Sequence, residues 1–184
     1  MKQYSLSTFT CLITFFLLCD LHPVSPSFID DSCREAATGD PTLNYKLCVS
    51  SLESNPRSQN ASSHAELTII SIGLTISNAT NMSSYITRLI STSESFDKHT
   101  KNCLQDCLEL YSDAGSTLQD AMNDFKSGDI VGAIVKISSA MDGSLTCEDG
   151  FKEKKDGVSP LSKENRSFFQ LTAISLTFIH MLFH

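Results

Sequence analysis

In NCLQDCLELYSDA, residues 102–114, two cysteines stand four residues apart inside a stretch that reads as helix. Four residues is about one helical turn, so Cys103 and Cys107 share a face. His99 lies one turn before Cys103, and the three side chains form a stripe of residue types that zinc accepts. Two other chemistries compete with metal binding. A redox pair calls for C-x-x-C, which this spacing is not. A structural bridge would use one of the two cysteines and leave the other over. The pattern places no fourth ligand beside His99, Cys103 and Cys107, so no metal is expected. G-x-S-x-G, H-E-x-x-H and P-loop signatures are missing from the sequence. The remaining histidines His64, His180 and His184 have no partner that the sequence identifies. No catalytic residue and no cofactor follow, and the chain does not read as an enzyme.

The compartment decides between the remaining chemistries. Lys2 precedes the apolar run TCLITFFLLC, too short to span a bilayer. Ser25-Pro26-Ser27 then supplies small residues at the −3 and −1 positions of a cleavage site. Residues 1–27 are expected to be a signal peptide and residues 28–184 the mature domain, secreted to the extracellular space. Cys11 and Cys19 leave with the leader, and Cys33, Cys48, Cys103, Cys107 and Cys147 remain. Secreted chains pair their cysteines, and an odd count leaves one over. The sequons at Asn60, Asn78, Asn81 and Asn165 are candidate glycosylation sites on the same route. Losing the leader removes Lys2 and Asp20 together, so the formal charge stays at −7. That acidic balance argues against nucleic acid and anionic membrane surfaces as partners.

The far end raises a membrane question of its own. FFQLTAISLTFIHMLFH is apolar enough to resemble the hydrophobic part of a lipid-anchor signal starting near Ser159. Gln170, Thr172, Ser175 and His180 interrupt it, however, and Leu171, Ile174, Phe178 and Leu182 recur at helical spacing. A packed terminal helix is therefore expected, with no membrane partner unless the tail acts as an anchor signal.

The elements that must position these residues are helical throughout. Residues 28–56 read as a short helical hairpin turned at TGDPT, with Cys33 and Cys48 placed to close it, a bridge worth about 3 kcal/mol. Four longer helices follow in residues 62–184. The first, from Ser63 to Ser91, carries a stripe of Ala65, Ile69, Ile72, Ile76, Ala79, Ile86 and Ile90, which leaves Asn78 and Asn81 turned outward. The second, from Lys98 to Lys126, repeats Leu104, Tyr111, Leu118 and Phe125 every seven residues, one seam for its neighbours. Gly128 suits a C-cap, and Asp129 an N-cap for the third helix. That third helix, from Ile130 to Lys155, carries Ile130, Ile134, Ile137, Met141, Leu145 and Phe151. The tail is the fourth, entered through a weak capping box of Ser162 and Asn165. The fold class is all-α, an up-down-up-down four-helix bundle preceded by an N-terminal hairpin and braced by two disulfides.

Helix depth selects the second bridge. Cys147 lies 19 residues past Gly128 and Cys107 lies 21 before it, level to within about 3 Å. Cys103, 25 residues before the turn, is offset by about 9 Å. Bridged Cα atoms must approach within about 7 Å. Cys107–Cys147 is therefore expected, worth about 4 kcal/mol, with Cys103 left as a free thiol. If the apolar stripes left space between them, the bundle would carry a small apolar ligand; the same residues more economically fill a solid core.

Taken together, NYKLCVSSL, DCLELYSDA, TCEDGF and the final LTAISL resemble the plant invertase and pectin methylesterase inhibitor family, over essentially the whole mature chain from Cys33. VSPLSKEN and TCEDGFKEKK are similar to its pollen-allergen branch. The resemblance implies a four-helix bundle with an N-terminal hairpin and bridges Cys33–Cys48 and Cys107–Cys147. It implies a protein that docks on the mouth of a plant cell-wall enzyme in the apoplast and blocks substrate entry without chemistry of its own. Family members that act on invertase carry Pro-Lys-Phe after a Gly-Asp. Here Gly128-Asp129 is followed by Ile130-Val131-Gly132, so Asp129, Ile130 and Val131 occupy that contact without its cationic and aromatic probe. Members that act on pectin methylesterase carry a Thr before the bridging cysteine, and Thr146-Cys147 matches. The resemblance thus points to a pectin methylesterase as partner ahead of an acid invertase.

Overall fold

The structure is a computed structural model that describes residues 27–92, 94–155 and 157–183. Residues 1–26 of the expected signal peptide lie outside the described residues. The helices are α1 (Phe28–Gly39), α2 (Tyr45–Glu53), α3 (His64–Thr92), α4 (Lys98–Ser127), α5 (Ile130–Lys152) and α6 (Ser162–His180), with a 3₁₀ turn at Pro56–Asn60. No strand occurs among the described residues. α1 and α2 form the hairpin, and α3 to α6 form the bundle, in which α4 packs on α3 and α5 and α6 closes the ring against both.

The hairpin is held together from within. Ser27 caps α1 by accepting from the Asp30 amide at 3.2 Å, and Asn44 caps α2 by accepting from the Leu47 amide at 3.1 Å. Cys33 and Cys48 are bonded, with Cα atoms 5.8 Å apart. Above the bridge, the Tyr45 hydroxyl donates to Asp30, which also pairs with Arg34. Ile29, Ala36, Leu43 and Leu52 then bury against Leu67 and Ile70 of α3 and Ile174 and Phe178 of α6. The Gln170 amide on α6 fastens the hairpin turn. It accepts from the Asn44 amide at 2.6 Å and donates to the Thr42 carbonyl at 3.1 Å.

In the bundle, the heptad seam of α4 lies where its spacing placed it: Leu104, Tyr111, Leu118 and Phe125 are all buried. Gly128 ends α4 with φ of 89°, a left-handed conformation that side chains with a Cβ rarely take. Asp129 caps α5, accepting from the Gly132 amide at 2.9 Å. Cys107 and Cys147 are bonded with Cα atoms 5.0 Å apart, and Cys103 is free and buried. The stripes close on one another in one buried core of α3 to α6.

Three local expectations need correction. α3 is flanked by α4, α6 and the hairpin, so its buried arc is wider than one stripe. Leu67, Thr68, Ile70 and Ser71 are buried, and Asn78 is half-buried with its Oδ1 enclosed. On α5 the inward face is made of small residues, Ala133, Ala140 and Ser144, alongside Ile137 and Phe151. The small residues let α5 approach α4 closely, and Leu145 is turned out to 46% exposure with Val131 and Val135. At the start of α6 no capping box forms, and the residue at the cap position, Leu161, makes no side-chain hydrogen bond. Ser162 bonds Glu148 instead, and Asn165 is drawn into the core.

Leu118 and Leu145 therefore separate the two faces. Leu118→Ala should cost about 3 kcal/mol in denaturant unfolding, as a cavity at a fully buried site does. Leu145→Ala should stay within about 0.5 kcal/mol, as expected of a surface position.

Candidate functional site

The residues singled out by sequence lie at two places along α5. Asp129, Ile130 and Val131 stand at its start, and Thr146 stands near the bridge, about 25 Å further along at ~1.5 Å per residue. Val131 is 73% exposed and Val135 61%; further along, Leu145 is exposed toward α6 and Thr146 toward α4. α5 is long and apolar enough to cross a membrane by length and composition, yet little of its apolar window is buried. The helix is apolar outward as well as inward.

At the turn, the residue at position 132 is closely hemmed in by two carboxylates. A Cβ on Gly132 would collide with the Asp129 carboxylate and come within 2.8 Å of Asp124 Oδ2. A side chain there would make these two carboxylates shift. The nearest cation, Lys136, is already paired with Asp124. Ile130 packs against the core, which leaves Val131 as the projecting side chain.

Near the bridge, α4 and α5 flank a cleft of about 470 Å³ lined by His99, Cys103, Asp106, Thr146, Asp149 and Glu153 among others. Thr146 is at its rim and exposed. The Cys103 thiol donates to the Gly150 carbonyl at 3.4 Å and lies 3.5 Å from His99 Nε2. Burial, and then the nearby Asp106 and Glu153 carboxylates, push its pKa up, which keeps it a poor nucleophile. Among the described residues no group of three His, Cys, Asp or Glu side chains is placed to hold a metal ion. Asp97 caps α4 through the Thr100 amide at 2.8 Å and pairs with Lys154, just past the end of α5. The Lys154 bond, then that amide, holds its carboxyl well below the usual range.

Behind this face lies a polar network that the sequence does not announce. The buried Tyr111 hydroxyl donates to Asn165 Oδ1 at 2.7 Å. Asn165 Nδ2 donates to Glu148 Oε2 at 2.9 Å, and the Ser162 hydroxyl donates to Glu148 Oε1 at 2.7 Å. Burial drives the Tyr111 phenol well above its ordinary range. For Glu148, burial pushes the carboxyl up, but hydrogen bonds from Ser162, Asn165 and Ser159 outweigh it and hold the pKa below its ordinary value. α4, α5 and α6 are thereby joined, with Tyr111 and Glu148 meeting on the one Asn165 side chain. Asn165, expected as a glycosylation site, is 3% exposed, and its amide nitrogen is spent on Glu148. Of the other sequons, Asn60 and Asn81 are exposed and Asn78 is half-buried.

A disulfide-braced helical bundle that offers one outward helix face is built as a protein-docking module. The chain belongs to the plant invertase/pectin methylesterase inhibitor family, whose pattern residues 27–178 match; it is a family of inhibitors without catalysis. A Platanus acerifolia protein named "Putative invertase inhibitor" is 43% identical over 178 residues, 96% of this chain and 98% of that one. Pectinesterase inhibitor 12 of Arabidopsis thaliana is 33% identical over 93% of this chain and 97% of its own. Among solved structures, a mutant form of a pectin methylesterase inhibitor from Arabidopsis matches with a TM-score of 0.66 at 27% identity, covering 80% of this chain and 96% of that one.

Two measurements check the site. A glutamate whose folded pKa is depressed contributes stability above its unfolded value, about 4.3, and loses it as pH falls through the folded value. Melting temperature should therefore drop below about pH 4.5, and Glu148→Gln should flatten that acid slope while lowering stability at pH 7. Iodoacetamide should leave Cys103 unmodified in the native protein and alkylate it alone after unfolding without reductant.

Proposed function

We propose that this chain is exported to the plant cell wall and inhibits a pectin methylesterase there by laying the outward face of α5 across the mouth of the enzyme's cleft. The observation that carries this reading is the placement of Thr146. It is exposed and directly precedes the bridged Cys147, on the same helix whose first turns expose Val131 and Val135. The bridge fixes α5 on α4, so little ordering is left to oppose association. Asp106, Asp149 and Glu153 beside Thr146 suit a partner rim that carries cations. Glycans fit at Asn60 and Asn81, away from the core.

A second reading, an acid invertase as partner, is favoured by the names of the Platanus relatives. It would place the main contact at Asp129, Ile130 and Val131, where the projecting group is apolar and uncharged.

Titrating the purified mature protein against a plant pectin methylesterase and an acid invertase, at pH 5 and pH 7, separates the two. Inhibition of the esterase at near-equimolar ratio is expected. Thr146→Arg should weaken it at least tenfold, about 1.4 kcal/mol, with an unchanged melting temperature. Inhibition of the invertase alone, weakened by Val131→Asp and not by Thr146→Arg, would establish the second reading instead.

A further inference from the structure

α6 carries more apolar surface than the bundle consumes. Phe168, Leu171, Thr172, Ser175, Phe178 and Ile179 are buried. Toward another side of the helix, Phe169, Leu176 and Thr177 are half-buried beside the buried Ala173, and Leu176 also packs on the core. These residues form the floor of a groove of about 550 Å³, completed by Met141 of α5 and Met181 beyond α6. The tail reads like an anchor signal because its apolar residues fill the core and also line this groove. The groove's volume lies within the ordinary range for small-ligand sites, roughly 300–1,000 Å³. Its two methionines supply flexible, polarizable walls of the kind that adapt to varied apolar groups.

One end of the groove is electrostatically one-sided. The C-terminal end of α1 reaches it through Glu35, Gly39 and Asp40. Helix C-termini carry partial negative charge and favour cations, yet α1 has no basic residue in its last turn. Arg34 is held by Asp30, toward the other end of the helix. Asp40 spends one oxygen, Oδ1, on the Thr42 amide at 2.9 Å and the Thr42 hydroxyl at 2.7 Å. Glu35 is exposed, so two carboxylates and a helix C-terminus converge on one mouth. Phe169 adds a ring face that attracts a cation. His180 lines the groove as well.

We propose that this groove binds a small amphiphilic cation, an apolar chain or ring bearing an ammonium group, with the apolar body on Phe169, Ala173 and Leu176 and the ammonium at Glu35 and Asp40. This site is on the hairpin side of α6 and is separate from the outward face of α5 proposed to meet the enzyme. Charge complementarity sets the class of ligand. A fatty acid or an alkyl sulfate would bring a third negative charge to a mouth that already holds two, on a chain of formal charge −7.

The test uses dansylcadaverine, a naphthalene with a primary ammonium, and its N-acetylated neutral analogue, each titrated into the mature protein at pH 7.5. The chain has no tryptophan, so the probe emission is read without interference from indole. Saturable, blue-shifted binding of the amine is expected, at least tenfold tighter than that of the acetylated probe. The double variant Glu35→Gln/Asp40→Asn should bring the amine to the level of the neutral analogue. Thr177→Phe, which fills the groove, should abolish binding of both without changing the melting temperature. If the double variant fails to fold, Glu35→Lys and added salt serve the same purpose, and each should weaken the amine only. Equal binding of the two probes, amine binding indifferent to the acidic variants, or no saturable binding would overturn the proposal. So would sedimentation that shows a second copy of the chain displacing the probe.

Discussion

The approach of α5 to α4 governs the rest of the molecule. Ala133, Ala140 and Ser144 strip the inner face of α5 to small groups, and the Cys107–Cys147 bond holds the two helices at 5.0 Å between Cα atoms. With so little bulk between them, the large side chains of α5 are pushed to its flanks and its outer face. The seam of α4 is left to fill the middle of the bundle with Leu104, Tyr111, Leu118 and Phe125. The bridge therefore does more than restrict the unfolded chain. It sets which face of α5 is presented, and it keeps Thr146 and Leu145 at a fixed height on the outside.

The polar network makes the same junction directional. A core of aliphatic side chains alone tolerates sliding and repacking, whereas buried hydrogen bonds fix one arrangement when every member is satisfied. Tyr111 from α4, Glu148 from α5, and Ser162 and Asn165 from α6 meet in one chain of donors and acceptors. α6 is thus registered against α4 and α5 at its first turn, and Gln170 registers the hairpin against α6 two turns later. Each contact depends on the one before it.

What could be read beforehand divides along the same lines. The helices, the turn at Gly128 and the choice of Cys107 over Cys103 were legible, because large apolar side chains at regular spacing and equal depths from a turn carry clear signals. On α5 Leu145 was misplaced, because alanine and serine give no contrast in a hydrophobic pattern while leucine does, whereas Ile137 and Phe151 are buried as the stripe required. Asn165 was legible as a sequon and as a cap residue, since residue type does not say which way an amide points. Its burial could have been suspected only from its place in a segment rich in Phe and Leu on either side. The groove on α6 was hidden in the same way, groove-lining and core residues being indistinguishable within one apolar tail. The docking contacts at Thr146 and Asp129 to Val131 came from family likeness; no periodicity points to them.

The apolar residues that α5 exposes also bear on how the protein behaves in bulk. Val131, Val135 and Leu145 leave apolar surface open to solvent, and like net charge opposes the meeting of two such surfaces. That repulsion is not constant. With a sequence pI near 5.1, mild acidification removes net charge while that surface stays as apolar as before. Colloidal stability therefore falls as the fluid acidifies, and a concentrated solution of this protein is most prone to stick to itself, or to any apolar surface, close to that pH.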